Sequence, residues 1–211
     1  MSSAATPALT PRKSPVQARS SATVEAVLEA TIQVLLKEGK ERLTTTRVAE
    51  RAGVSVGTFY QYFPNKSALL QATLRRHMED IADTLDRVCD EQRGKPIAEM
   101  VANLINAFFA AKMRDPRVSA ALYAVSSDVD GWRIAQQMNR RAHRMVVALL
   151  ETAPESLTRE PDLIASMLQS MMNGVSRKVL ESPAPEKNFP TMRQELLFLA
   201  EVYVQACTTS V

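Results

Sequence analysis

Apolar residues recur along this chain at three- and four-residue intervals and never in a sustained alternation, so the pattern predicts helices and no strand. The first helix runs from about Ser21 to Lys37, with Val24, Val27, Leu28, Thr31, Ile32 and Leu35 on one face and Gly39 closing it. Between Thr44 and Lys66 two much shorter patterns flank a glycine. In the first, Val48, Ala49 and Ala52 share a face, and Thr44, Thr45 or Thr46 can supply a capping oxygen. Gly53 takes positive φ cheaply and ends it; Val54 tucks in as a staple, and Ser55 is the N-cap of a helix from Val56 to about Tyr62. That helix buries Phe59 and Phe63, four apart, and turns Ser55, Thr58, Gln61 and Tyr62 outward, with Tyr60 at the margin. Two short helices about one tight turn form a helix-turn-helix, a geometry that fits the second helix to a major groove.

After Pro64, Asn65 caps a long helix to about Glu91 that carries Leu69, Leu70, Leu74, Ile81, Leu85 and Val88 and bridges two domains. Gly94 and Pro96 break it, and an apolar helix from Ile97 to Met113 follows. Pro116 opens a short helix to about Val125. Gly131 and Trp132 begin an arginine-rich one to about Glu151, and Pro154 and Pro161 bound the next turn. Two last helices span about Asp162 to Leu180 and Thr191 to Cys207, separated by Pro183, Pro185 and Pro190. The expected fold is all-α, with about nine helices. Residues 1–19, rich in Ser, Ala, Thr and Pro with Arg12, Lys13 and Arg19 as their only charges, read as a disordered basic arm, simply solvated in the favoured reading and laid along phosphates or in the minor groove in the alternative. Residues 20–66 form the helix-turn-helix domain and residues 67–211 a larger helical one.

With 211 residues, 45% of them apolar, the chain can bury a real core. No apolar run approaches the roughly 18 to 20 residues of a membrane span and no signal-peptide core is present, so the cytoplasm is the expected compartment. The net charge of +3 is unevenly spread: residues 1–66 hold nine Lys/Arg against five Asp/Glu, leaving 17 against 18 elsewhere. The surplus therefore sits where phosphate neutralisation requires it. Cys89 and Cys207 lack metal or redox spacing and lie in apolar helical patterns, so packing is their expected role and a thiol sensor the alternative. His77 and His143 lack ligand spacing, and no cofactor or metal is expected. Gly53-Val54-Ser55-Val56-Gly57 has the Gly-x-Ser-x-Gly form of a nucleophile elbow, but a helix rather than a buried strand precedes the serine, so Ser55 reads as a cap and a candidate phosphate contact.

The stretch GVSVGTFYQYFPNKSALL resembles the signature of TetR-type transcriptional repressors, and the resemblance extends over about Ser20 to Leu74. It implies an all-helical homodimer with an N-terminal three-helix DNA-binding domain and a C-terminal domain, here 67–211, that binds a small effector and dimerises. By matching positions, Thr45, Thr46 and Arg47 resemble groove and backbone contacts at the start of the second helix, and Thr58, Tyr60, Gln61 and Tyr62 those of the recognition helix. Glutamine can bind adenine bidentately, threonine can meet a phosphate or a thymine methyl, and tyrosine hydroxyls hold phosphates. Lys66 opposes the helix dipole at a cost of a few tenths to about one kcal/mol, which a bound phosphate would reverse; the family gives this position a phosphate contact.

The dimer face is expected on the last two helices. Ser166, Ser170 and Gly174 make a ridge of small side chains flanked by Ile164, Leu168, Met171 and Val175, and Leu196, Ala200, Tyr203 and Cys207 form a stripe with Leu199 nearby. For an effector, Met100, Leu104, Phe108, Tyr123, Trp132, Met138, Met167 and Met171 lie on helices able to surround a pocket, and methionine suits adaptable lipophilic binding. Glu99 is the one acid on the central apolar helix, so a neutral or anionic lipophile is favoured over a cation. The resulting expectation is a ligand-responsive repressor without catalytic activity, whose homodimer binds a pseudo-palindromic duplex operator and is released by a small molecule. Its rivals are a small-molecule-binding protein or enzyme in which the helix-turn-helix is only a packing unit, and an activator or ligand-independent architectural regulator.

Overall fold

The computed structural model describes residues 18–209. Among these residues it comprises nine α-helices: α1 (Ala18–Glu38), α2 (Thr45–Arg51), α3 (Val56–Tyr62), α4 (Lys66–Gln92), α5 (Ile97–Lys112), α6 (Pro116–Val125), α7 (Gly131–Leu150), α8 (Pro161–Leu180) and α9 (Pro185–Gln205). A 3-10 turn at Ser126–Val129 links α6 to α7. The isolated bridge between Leu157 and Thr208 is the only extended pairing among the described residues, as the helical periodicity requires. The basic arm expected over residues 1–19 lies outside the described residues, apart from Ala18 and Arg19 at the start of α1.

The largest difference from expectation is at α9, which begins at Pro185 rather than Thr191 and carries Pro190 inside it. Proline at the first helical position gives up an N–H that has no intrahelical partner anyway, so Pro185 starts the helix. Pro190 forfeits one bond near the N-terminus without ending the helix. The 3-10 turn was not legible because Ser126, Ser127 and Asp128 carry no apolar period.

The chain packs as two compact units, the first formed by residues 18–77 with 121–134, the second by 78–120 with the chain from 135 onward. In the first, Val27 and Leu28 of α1, Val48 of α2, Phe59 and Phe63 of α3 and its end, and Leu69 of α4 are all at most 4% exposed. The Phe59 and Phe63 rings lie 5.8 Å apart, and Tyr60 meets Phe59 edge-on at 5.4 Å. Burying each phenylalanine contributes about 2 kcal/mol, which holds a helix of only seven residues that would not persist alone. Residues 121–134 join this unit through Gln71, whose Nε2 donates to the Val129 carbonyl at 2.7 Å. Gly131 opens α7 in close quarters: a Cβ there would fall 2.7 Å from the Ser126 carbonyl oxygen and 2.8 Å from Leu74 Cδ2.

The second unit is built on α5, whose Met100, Leu104, Ile105 and Phe109 are buried against Ile164 and Leu168 of α8 and Leu196, Ala200 and Val204 of α9. Arg141 of α7 bridges Asp83 at 2.8 Å and Asp86, both on α4. Cys89 and Cys207 are both buried. Burial, with Asp86 and Asp90 adding to it, pushes the Cys89 thiol up to about 11. A thiol held protonated in this way is the opposite of a reactive sensor.

Candidate functional site

The recognition element is set by three caps. Thr44, of the three candidate threonines, caps α2: its Oγ1 accepts from the Arg47 N–H at 3.3 Å. Gly53, at φ 69°, carries the chain out of α2, and its N–H bonds the Glu50 carbonyl at 3.1 Å. Ser55 Oγ accepts from the Thr58 N–H at 3.0 Å and starts α3. Asn65 Oδ1 accepts from the Ala68 N–H at 2.8 Å and starts α4. With Phe59 and Phe63 turned inward, Ser55, Gly57, Tyr60 and Gln61 are exposed, and Thr58 and Tyr62 are half-buried beside them. No acidic residue lies on α3, so the exposed side presents neutral donors and acceptors to whatever approaches it.

Four of the expected contact residues have partners within the domain that the sequence did not reveal. Tyr60 Oη lies 3.0 Å from Thr45 Oγ1, which ties the recognition helix to the first turn of α2. If Thr45 donates, the phenol proton is left for an outside acceptor. Arg47 is already engaged through one nitrogen: its Nη1 pairs with Glu38 at 2.7 Å and donates to the Arg42 carbonyl at 2.8 Å. These bonds brace the loop between α1 and α2. Lys66 is not a free cation either. Its Nζ donates to the Lys40 carbonyl at 3.0 Å, which offsets part of the dipole penalty and leaves two of its three N–H groups without a partner among the described residues. Thr46 is exposed on α2.

The second unit holds an apolar cleft of about 650 Å³, its mouth to solvent included, with about 70 Å³ of interior able to hold water-sized molecules. At roughly 10–15 Å³ each, that interior has room for a handful of waters. Of the residues expected to line a pocket, Leu104, Phe108 and Met138 do so. The others do not. Met100 is fully buried in the core behind α5, Met171 packs against that core, and Met167 is 44% exposed. Tyr123 and Trp132 belong to the first unit and are 40% and 60% exposed, the indole lying 5.6 Å from the Arg133 guanidinium. In their place α4 supplies Met78, Ile81, Ala82 and Leu85, and Lys112 closes the wall at the end of α5. The Lys112 Nζ sits 5.8 Å from the Phe108 ring centroid, and burial lowers its pKa below the ordinary lysine value.

The expected dimer stripe needs a similar correction. Ile164, Leu196 and Ala200 are at most 1% exposed because they fill the subunit's own core against α5, and Cys207 is fully buried as well. Ser170 and Gly174 do lie on the outer side of α8, Ser166 is half-buried, and Tyr203 is half-buried against the core. The exposed apolar residues of these helices are instead Leu163 and Met167 on α8 and Phe198, Leu199 and Val202 on α9, each between 44% and 59% exposed.

Two family models match the chain. The model for bacterial regulatory proteins of the tetR family covers residues 27–73, and that for the tetracyclin repressor-like C-terminal domain covers 96–204. The chain therefore belongs to the TetR family of bacterial regulatory proteins. It is 31% identical over 127 residues to the HTH-type transcriptional repressor KstR of Rhodococcus jostii, covering 59% of this chain and 58% of that one. It is 22% identical over 162 residues to the nucleoid occlusion factor SlmA of Vibrio vulnificus, covering 72% and 82%. The structure of SmeT, the repressor of the Stenotrophomonas maltophilia multidrug efflux pump SmeDEF, superposes with a TM-score of 0.67 at 21% identity, over 90% of this chain and 93% of SmeT.

Proposed function

We propose that the protein is a ligand-responsive transcriptional repressor that binds a pseudo-palindromic DNA operator as a homodimer and catalyses no reaction. The observation that carries this reading is the pairing of a capped, acid-free recognition helix with a separate apolar cleft on one continuous helix. α4 begins at Lys66, beside the candidate phosphate contacts, and its later residues Met78, Ile81, Ala82 and Leu85 form one wall of the cleft. A ligand that spreads this wall acts on the helix that carries Lys66. Two half-sites about 34–36 Å apart must be engaged together, so displacing the recognition helices by a few ångströms loses simultaneous contact. A coupling of roughly 1–3 kcal/mol follows. The exposed apolar residues of α8 and α9, with Ser170 and Gly174 among them, support two-fold association of four helices. Repressors among the relatives, KstR and SmeT, favour repression as the output.

A ligand-independent architectural role, which the name of the relative SlmA would suit, leaves the cleft without a use. Calorimetry separates the two: operator DNA must weaken effector binding by the same factor by which effector weakens operator binding. Equal ligand affinity with and without saturating operator would reject the switching mechanism.

A further inference from the structure

We propose that the cleft takes an amphipathic carboxylate, an apolar body with one negatively charged head group, and that Lys112 is the residue that receives the charge. The inference rests on the reading of this cleft as the effector site. Lys112 is the only ionisable residue in the lining; no Asp or Glu contributes to it. The remaining wall is almost wholly aliphatic, aromatic or thioether, with Asn139, Gln169 and Asn173 as its neutral polar members. Among the described residues no carboxylate pairs with Lys112, whereas Arg141, next in sequence to the lining residue Ala142, is paired with Asp83 and Asp86.

An ammonium in such a setting needs a reason. Its position in the last turn of α5 is favourable to the helix dipole, yet an exposed lysine would gain the same benefit without losing water. Desolvating the charge without a partner is costly, and the contact with the Phe108 face returns only part of that cost. A ligand carboxylate would replace the lost hydration with an ion pair against a largely apolar wall, where a charge-assisted hydrogen bond is stronger than in bulk water. The same lysine repels a cationic ligand, and the absence of any acid from the lining removes the compensating partner such a ligand would need. The small interior, about 70 Å³, disfavours a bulky body.

The test titrates decanoate and 1-decanol into the full-length protein by calorimetry, in the wild type and in the Lys112→Met, Lys112→Arg and Ala142→Phe variants. Methionine keeps the length and apolar stem of lysine without its charge, and Ala142 lines the cleft without being fully buried. Decanoate should bind the wild type about tenfold or more tighter than decanol, from a hydrogen bond to a charged group. Lys112→Met should bring the two affinities together, Lys112→Arg should keep most of the preference, and Ala142→Phe should weaken both probes. Equal affinity for the two probes in the wild type, or an undiminished preference in Lys112→Met, overturns the role of Lys112; if Ala142→Phe still weakens binding, the cleft as effector site survives. Failure of both probes to bind the wild type overturns the inference together with the reading beneath it.

Discussion

Ser55 has two separable duties, and two substitutions separate them. Its Oγ accepts the Thr58 N–H at 3.0 Å and lies 2.9 Å from Thr58 Oγ1, so Ser55→Ala leaves an N-terminal donor of α3 without its side-chain partner. Loss of such a cap costs about 1 kcal/mol. Because Phe59 and Phe63 hold the helix from below, the helix should persist, and the loss should appear as a fall in melting temperature of about 2–4 °C. Ser55→Asp restores the cap and adds a carboxylate at the positive end of the dipole, so its stability should equal or exceed that of the wild type. For DNA the two variants should part company. A carboxylate about 4 Å from a phosphate is repelled by about 1 kcal/mol in water-like surroundings and about 4 at a protein surface, or roughly fivefold to several hundredfold in affinity for each half-site. Thermal melts beside fluorescence anisotropy on an operator duplex would read both quantities. A stable Ser55→Asp protein that binds DNA as tightly as the wild type would refute the placement of the α3 N-terminus against the duplex. An unchanged melting temperature in Ser55→Ala would refute the cap.

Lys66→Ala should weaken binding about equally on different sequences and lower the salt slope by roughly one unit per subunit; loss of its bond to the Lys40 carbonyl should add a stability cost of about 1 kcal/mol, measurable by denaturant titration. Gln61→Ala, on an exposed position of α3, should leave stability within about 0.5 kcal/mol and relax sequence preference in a competition assay. Gly174→Leu places a side chain where no atom lies within 4 Å in the monomer, so sedimentation should show weakened dimerisation of a protein that still folds. Gly131→Ala should destabilise by about 1–3 kcal/mol, because the backbone oxygen of Ser126 cannot move aside cheaply; a melting temperature like that of the wild type would contradict the close approach.

What the sequence makes legible is local. Ser55, Gly53 and Asn65 act within four residues, so the bounds of α3 and the starts of α4, α5 and α6 followed from caps and prolines. What could not be read depends on distant parts of the chain. The partners of Lys66 and Tyr60 lie 26 and 15 residues away. α9 is apolar on two sides, and periodicity alone does not say that Leu196, Ala200 and Val204 meet α5 while Phe198, Leu199 and Val202 face out. Choosing pocket residues by side-chain type failed for the same reason. Trp132 and Tyr123 are large and aromatic but exposed, whereas Ala82 and Lys112, unremarkable in sequence, complete the cleft.

Binding to duplex DNA as a function of salt is the measurement that bears most directly on the claim that α3 is a recognition helix and not a packing unit. The probe would be an inverted repeat from the DNA upstream of the coding region, set against a scrambled duplex of equal length and composition. A recognition helix predicts tighter binding to the repeat, with log affinity falling linearly with log salt and a shallower slope in Lys66→Ala. Equal, weak and salt-insensitive binding to both duplexes would contradict it.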